Sequence, residues 1–136
     1  FSAHDCLDML EQTGIDGVTV ARGAIGNPWI FQQARALLAG QPLPPPPTIF
    51  QQRDVLREHF RLADQLYGAR CGQQMRKFGI KYSHLHPLGL EVRDAFVKVR
   101  NLEEWGEVLS RFYADDGPGN YMPREVHGSQ QECNAA

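Results

Sequence analysis

Five of the seven residues from Gln41 to Pro47 are proline. Each lacks an N–H and has a fixed φ, so this stretch is excluded from helix and from a central strand. It reads as a stiff, extended linker that divides the 136 residues into a short N-terminal unit and a longer C-terminal one. The two sides differ in pattern.

On the N-terminal side, Ser2 and Asp5 are spaced as the start of a helix. The hydroxyl can accept a first-turn N–H and the carboxylate favours the positive helix end. Cys6, Leu7 and Leu10 share a face, and Gly14 stops the helix. Ile15 to Ala21 is a short, β-branched, apolar run of the kind buried in a parallel sheet, and is the one strand expected. A loop, Arg22-Gly23-Ala24-Ile25-Gly26, follows. Asn27 and Pro28 then suit the cap and first position of a helix running to about Leu38, with Gly40 as its stop. Trp29, Ile30 and Phe31 are expected to be core.

Past the prolines the pattern is helical. Thr48 caps a helix whose Leu56, Phe60, Ala63 and Tyr67 recur on one face, and Gly68 closes it. A second helical stretch spans about 69–85, ended by Pro87, and a shorter one about 88–99 gathers Val92, Phe96 and Val99. Asn101 with Glu104 is a capping-box-like start for a last helix striped with Trp105, Val108, Leu109 and Phe112. From Asp115 onward Gly, Pro, Asn, Ser and Gln suggest a loose tail.

Hydrophobic residues make up 42% and charged residues 22%, with a formal net charge of −2. No apolar run approaches the roughly 18 residues of a membrane span. Phe1 to Asp5 resemble no signal peptide, and without an initial Met the chain is expected to begin inside a longer protein. Cys6, Cys71 and Cys133 lack zinc or redox spacing, which fits reduced thiols and a cytoplasmic protein. No metal site is expected, and His84 and His86 read as surface histidines.

The net charge conceals a local imbalance. Residues 70–100 carry seven basic side chains (Arg70, Arg76, Lys77, Lys81, Arg93, Lys98 and Arg100) against Glu91 and Asp94. Lys77 and Lys81, four apart, share a helical face. Such a surface can track phosphates; on charge alone it reads first as a solvated face with internal ion pairs. Tyr82 suits either stacking on a base or partial burial. The turn at Arg22 has a similar double reading. Backbone N–H groups at a strand end, with one guanidinium, form a phosphate cup or a plain strand-to-helix connection.

The wording of two segments is more specific. Thr13-Gly14-Ile15-Asp16-Gly17 with Ala21-Arg22-Gly23-Ala24-Ile25-Gly26-Asn27-Pro28-Trp29-Ile30-Phe31 resembles the last-strand signature of bacterial tRNA-dihydrouridine synthases. Met75-Arg76-Lys77-Phe78 with Lys81-Tyr82 resembles the Arg-Lys and Tyr motif of that family's C-terminal RNA-binding domain. The similarity runs from about Ser2 to Tyr113.

The resemblance implies a mainly α chain: a helical bundle preceded by a terminal βα remnant of a (β/α)8 TIM barrel. Its divisions would be 1–40 for the remnant of an FMN-binding barrel, 41–47 for the linker, 48–114 for a helical tRNA-binding domain and 115–136 for a flexible tail. It implies an FMN enzyme reducing uridine in tRNA to dihydrouridine, with NADPH recharging the flavin. The family's Gly-Arg pair at the FMN phosphate falls on Ala21 and Arg22. Position 21 departs from the pattern, and its Cβ would add strain if the backbone there required positive φ.

RNA contact would fall to Arg76, Lys77, Lys81 and Tyr82. The family's flavin-site lysine and proton-donating cysteine would lie in a missing N-terminal barrel portion, and none of the three cysteines here matches the latter. The chain alone is therefore expected to be inactive. A small-molecule flavin oxidoreductase and a free-standing helical protein-interaction module are the alternative readings.

Overall fold

The structure, a computed structural model, describes residues 2–123. Cys133 and the rest of 124–136 lie outside the described residues. Among the described residues six α-helices follow one another: α1 (Ala3–Thr13), α2 (Ile30–Leu38), α3 (Ile49–Tyr67), α4 (Cys71–Tyr82), α5 (Gly89–Lys98) and α6 (Leu102–Phe112). The chain is mainly α, and the helix boundaries follow local chemistry. Ser2 accepts from the Asp5 N–H while the Asp5 carboxylate accepts from the Ser2 N–H, which starts α1. Gly14, at φ 66°, ends it by donating to the Leu10 carbonyl. Thr48 and Gln51 form the same reciprocal cap on α3. Asn101 accepts from the Glu104 N–H on α6, but the Glu104 carboxylate takes the Arg100 N–H, one residue earlier than a reciprocal box requires.

The strand expected over Ile15 to Ala21 is not formed. A ladder needs a neighbouring strand, and among the described residues there is none. The segment stays irregular, yet keeps a two-residue alternation. Val18 and Val20 are partly buried against a small cluster of Ala3, Cys6, Ile30 and Ala34, while Gly17, Thr19 and Ala21 face out.

The larger core lies among α3 to α6. Trp105 is 1% exposed, with its ring centroid 5.0 Å from Phe60 and 4.6 Å from Phe96. Leu56, Met75, Val92 and Val99 complete its centre. Glycines on α4 permit the close packing: a Cβ at Gly79 would stand 2.6 Å from the Phe96 ring, and one at Gly72 would run into the Arg100 carbonyl. Trp29 packs against this core and the next residue, Ile30, against the smaller one, so the two clusters meet at the start of α2. Phe31 does not join them and is exposed, as is Tyr67 on α3.

Residues 115–121 are not loose. Gly117 accepts from the Ile49 N–H, the Asp116 carboxylate from the Phe50 N–H, and Asn120 donates to the Leu85 carbonyl. Tyr121 reaches the Pro44 carbonyl at 2.9 Å. The fully buried Gln52 amide bonds both Pro47 and Leu85 carbonyls at 3.0 Å, joining linker and bundle. Polar backbone partners hold this strap, whose composition offers few large apolar side chains.

His86, expected at the surface, is buried. Its Nε2 donates to the Phe112 carbonyl at 2.8 Å and its Nδ1 accepts from the Leu88 N–H, which fixes the neutral tautomer. Burial holds its pKa below the usual 6.5, despite the opposing pull of the Phe112 carbonyl and Glu91. Burial lowers His59 as well. The unfolded chain therefore takes up these protons first as pH falls. The stability contributed by the neutral rings is complete above their unfolded pKa and is lost as pH drops below it, through the folded values. The urea midpoint is expected to fall between about pH 7.5 and about pH 5.5, and to fall less in His86→Gln.

Candidate functional site

The turn at Arg22 is built from its own backbone. Ala24 donates to the Ala21 carbonyl at 3.1 Å, Ile25 to Arg22 at 3.2 Å and Asn27 to Ala24 at 3.1 Å, closing a single 3-10 turn (Arg22–Ala24). Ala21 has φ −103°, so its methyl group meets no left-handed strain, and the departure from glycine there is tolerated by the backbone. Ala21 and Arg22 are both exposed at this turn. Asn27 does not cap α2. Trp29 takes the N-cap position, and the Asn27 side chain is 2% exposed with its Oδ1 unpartnered among the described residues.

The turn rests on α4. Gly26, at φ 83°, lies so close that a Cβ there would come within 2.6 Å of the Lys81 carbonyl carbon and 2.8 Å of its oxygen. Arg22 and Lys81, distant in sequence, thus belong to one packed unit. Only glycine combines that φ with that approach.

Lys77 and Lys81 on α4 are exposed, as are Arg70 just before its start and His84 just past its end. The other sequence-derived candidates separate from these. Arg76 is half-buried and donates its Nε to the Val99 carbonyl at 3.0 Å, tying α4 to the α5–α6 turn. Arg93 is 3.3 Å from Asp94. Tyr82 is 4% exposed inside the core, with its pKa pushed up to about 12 by burial, so its ring presents no open face to a base.

Sequence reasoning missed two residues at this surface. His59 on α3 and Phe78 on α4 are partly exposed, with ring centroids 4.7 Å apart beside Lys77. Phe78 stood inside the Met75-Arg76-Lys77-Phe78 motif without an assigned role, and His59 was visible only as a histidine flanking the apolar stripe of α3.

Elsewhere, no group of three or more His, Cys, Asp or Glu side chains among the described residues is arranged to hold a metal. No described helix is long and apolar enough to cross a membrane. Cys6 and Cys71 are buried free thiols, and burial pushes the pKa of both upward.

Comparison with known proteins adds the lineage. Residues 1–115 match the family model described as dihydrouridine synthase. A probable tRNA-dihydrouridine synthase of Mycobacterium leprae is 37% identical over 112 residues, covering 82% of this chain and 29% of that protein. tRNA-dihydrouridine synthase B of Xanthomonas campestris is 34% identical over 115 residues, covering 84% and 34%. A probable tRNA-dihydrouridine synthase of Rickettsia prowazekii is 30% identical over 107 residues, covering 78% and 33%. The chain spans about a third of the length of these relatives. With its turn, its cationic helix and nearly all of its described residues inside that match, the chain belongs to the dihydrouridine synthase family.

Proposed function

We propose that this chain is the RNA-gripping, cofactor-phosphate end of a flavin-dependent tRNA-dihydrouridine synthase that reduces uridine in tRNA. The observation that carries this reading is the seating of Gly26 on the Lys81 backbone. It fixes a candidate phosphate turn against a cationic helix, as an enzyme must if it handles a small cofactor and a polyanionic substrate together.

Within this reading, residues 1–40 are the end of a TIM barrel, and Ile15 to Ala21 is its last strand, completed only by neighbours from the same barrel. Residues 41–47 link it to the tRNA-binding helices of 48–114. The turn fits the phosphate of FMN. Arg22 is an exposed guanidinium suited to two charge-assisted hydrogen bonds, Gly23 adds no side chain, and Ala21 can present its N–H without strain. FMN, recharged by NADPH, would supply the hydride. The chain's own residues hold the phosphate and the RNA. Lys77 and Lys81 neutralise backbone phosphates, which supports extrusion of a uracil from its stack at a cost of a few kcal/mol.

The test uses the full-length protein. Arg22→Ala is expected to lower flavin retention after gel filtration while leaving tRNA affinity nearly intact. Lys77→Ala with Lys81→Ala is expected to weaken tRNA binding and reduce the magnitude of the log K against log salt slope by about 1.4 to 1.8, with flavin retained. Dihydrouridine formation should fall in both, and the chain of 136 residues alone should form none. A full-length protein that neither retains flavin nor acts on tRNA would end this assignment.

A further inference from the structure

The edge between α3 and α4 carries a feature that phosphate binding does not explain. The His59 ring is tilted 59° to Phe78 at 4.7 Å and meets Tyr82 edge-on at 6.2 Å. The Lys77 ammonium lies 5.2 Å from the centre of the same Phe78 ring. Tyr82 is the buried floor, whereas His59 and Phe78 are partly exposed. Among the described residues, neither ring nitrogen of His59 makes a hydrogen bond. Burial keeps the imidazole neutral at neutral pH, with one N–H donor and one acceptor.

Phe78 packs in part against the larger core, and its remaining exposed surface, with His59 beside it, adds an aromatic component that phosphates alone do not engage. Aromatic faces, an uncommitted neutral imidazole and an adjacent ammonium match the three parts of an unpaired nucleotide: the π-face, the polar base edge and the phosphate. The occupant is RNA rather than protein because Phe78 sits between Lys77 and Lys81 on α4, within the segment 70–100 of net charge +5, and the Lys77 ammonium is 5.2 Å from its ring centre.

We propose that the α3–α4 edge formed by His59 and Phe78 receives one unstacked nucleobase of the bound RNA, with Lys77 at the phosphate of the same nucleotide. This rests on the reading of the chain as the tRNA-binding part of a synthase. The side chains grip a base that is not the reacting one; neither is a catalytic residue.

The experiment is tRNA binding by the full-length flavoprotein at two salt concentrations, with thermal melting of every variant. His59→Ala and Phe78→Leu are each expected to weaken binding about tenfold with the salt slope unchanged, because stacking releases no counterions. A single-stranded RNA competitor should lose potency against these variants in the same proportion. Should Phe78→Leu disturb folding, His59→Gln replaces it, keeping the edge hydrogen bonds and removing the ring. Unchanged affinity in folded His59 variants overturns the subsite, as does a loss accompanied by the shallower salt slope of Lys77→Ala. If the unmutated protein fails to bind tRNA, the proposed function falls as well; if it binds and the His59 variants match it, only the subsite falls.

Discussion

Trp105→Ala should lower the unfolding free energy by about 3–5 kcal/mol, the usual cost of deleting a large buried aromatic side chain. The ring is wedged between Phe60 and Phe96 and lies against Gly79, so its removal leaves a cavity bounded by three helices. Those helices cannot all collapse into the gap. Trp105→Phe should cost much less, about 1 kcal/mol, because it retains most of the contact area and removes an indole N–H that is buried without a partner. Urea unfolding of the two variants checks both figures. An alanine variant as stable as the phenylalanine one would show that α3, α5 and α6 do not share this core.

Gly26→Ala is expected to cost about 3 kcal/mol, from two separate causes. Its φ of 83° imposes on any side chain a left-handed penalty of about 1–2 kcal/mol. The new methyl group would also meet the Lys81 carbonyl at 2.6 Å, and a backbone neighbour cannot rotate away. Gly14→Ala separates the causes. Gly14 has φ 66° with nothing within 4 Å of a Cβ, so that variant should show the conformational penalty alone. In the full-length protein, Gly26→Ala should also depress flavin retention and tRNA affinity together, since the methyl group displaces the Arg22 turn from α4. Equal stability losses at positions 14 and 26 would remove the close approach from the argument.

What could be read from sequence was what neighbours along the chain decide. Ser2 with Asp5, Gly14, Thr48 and Asn101 act within a few residues, and each marks a helix end in the structure. The stripe of Trp105, Val108 and Leu109 is set by helical periodicity and is buried accordingly. Exposure of Arg22, Lys77 and Lys81 was equally legible, since nothing local offered to bury them.

Features made by distant partners were not legible. His86 can be buried because a carbonyl 26 residues away accepts a hydrogen bond from its Nε2. Tyr82 belongs to the core through helices that the motif around it does not specify. Residues 115–121 are ordered by acceptors and donors at Pro44, Ile49, Phe50 and Leu85, which no composition of the strap itself foretells. The run from Ile15 to Ala21 shows the converse. Its residues favour a strand, but a ladder is a property of two segments. At the candidate site, pairing of His59 with Phe78 depends on the α3–α4 contact, so a reading of either helix alone finds only half of it.

The four anchorages of α4 bear on how its lysines meet a ligand. Gly72 lies against Arg100, Arg76 holds Val99, Gly79 sits beneath Phe96 and Trp105, and Gly26 presses on Lys81. The helix axis is thus locked at both ends before any polyanion arrives. Association needs to immobilise only the flexible tips of the side chains, and the entropic penalty of recognition is confined to those few rotors.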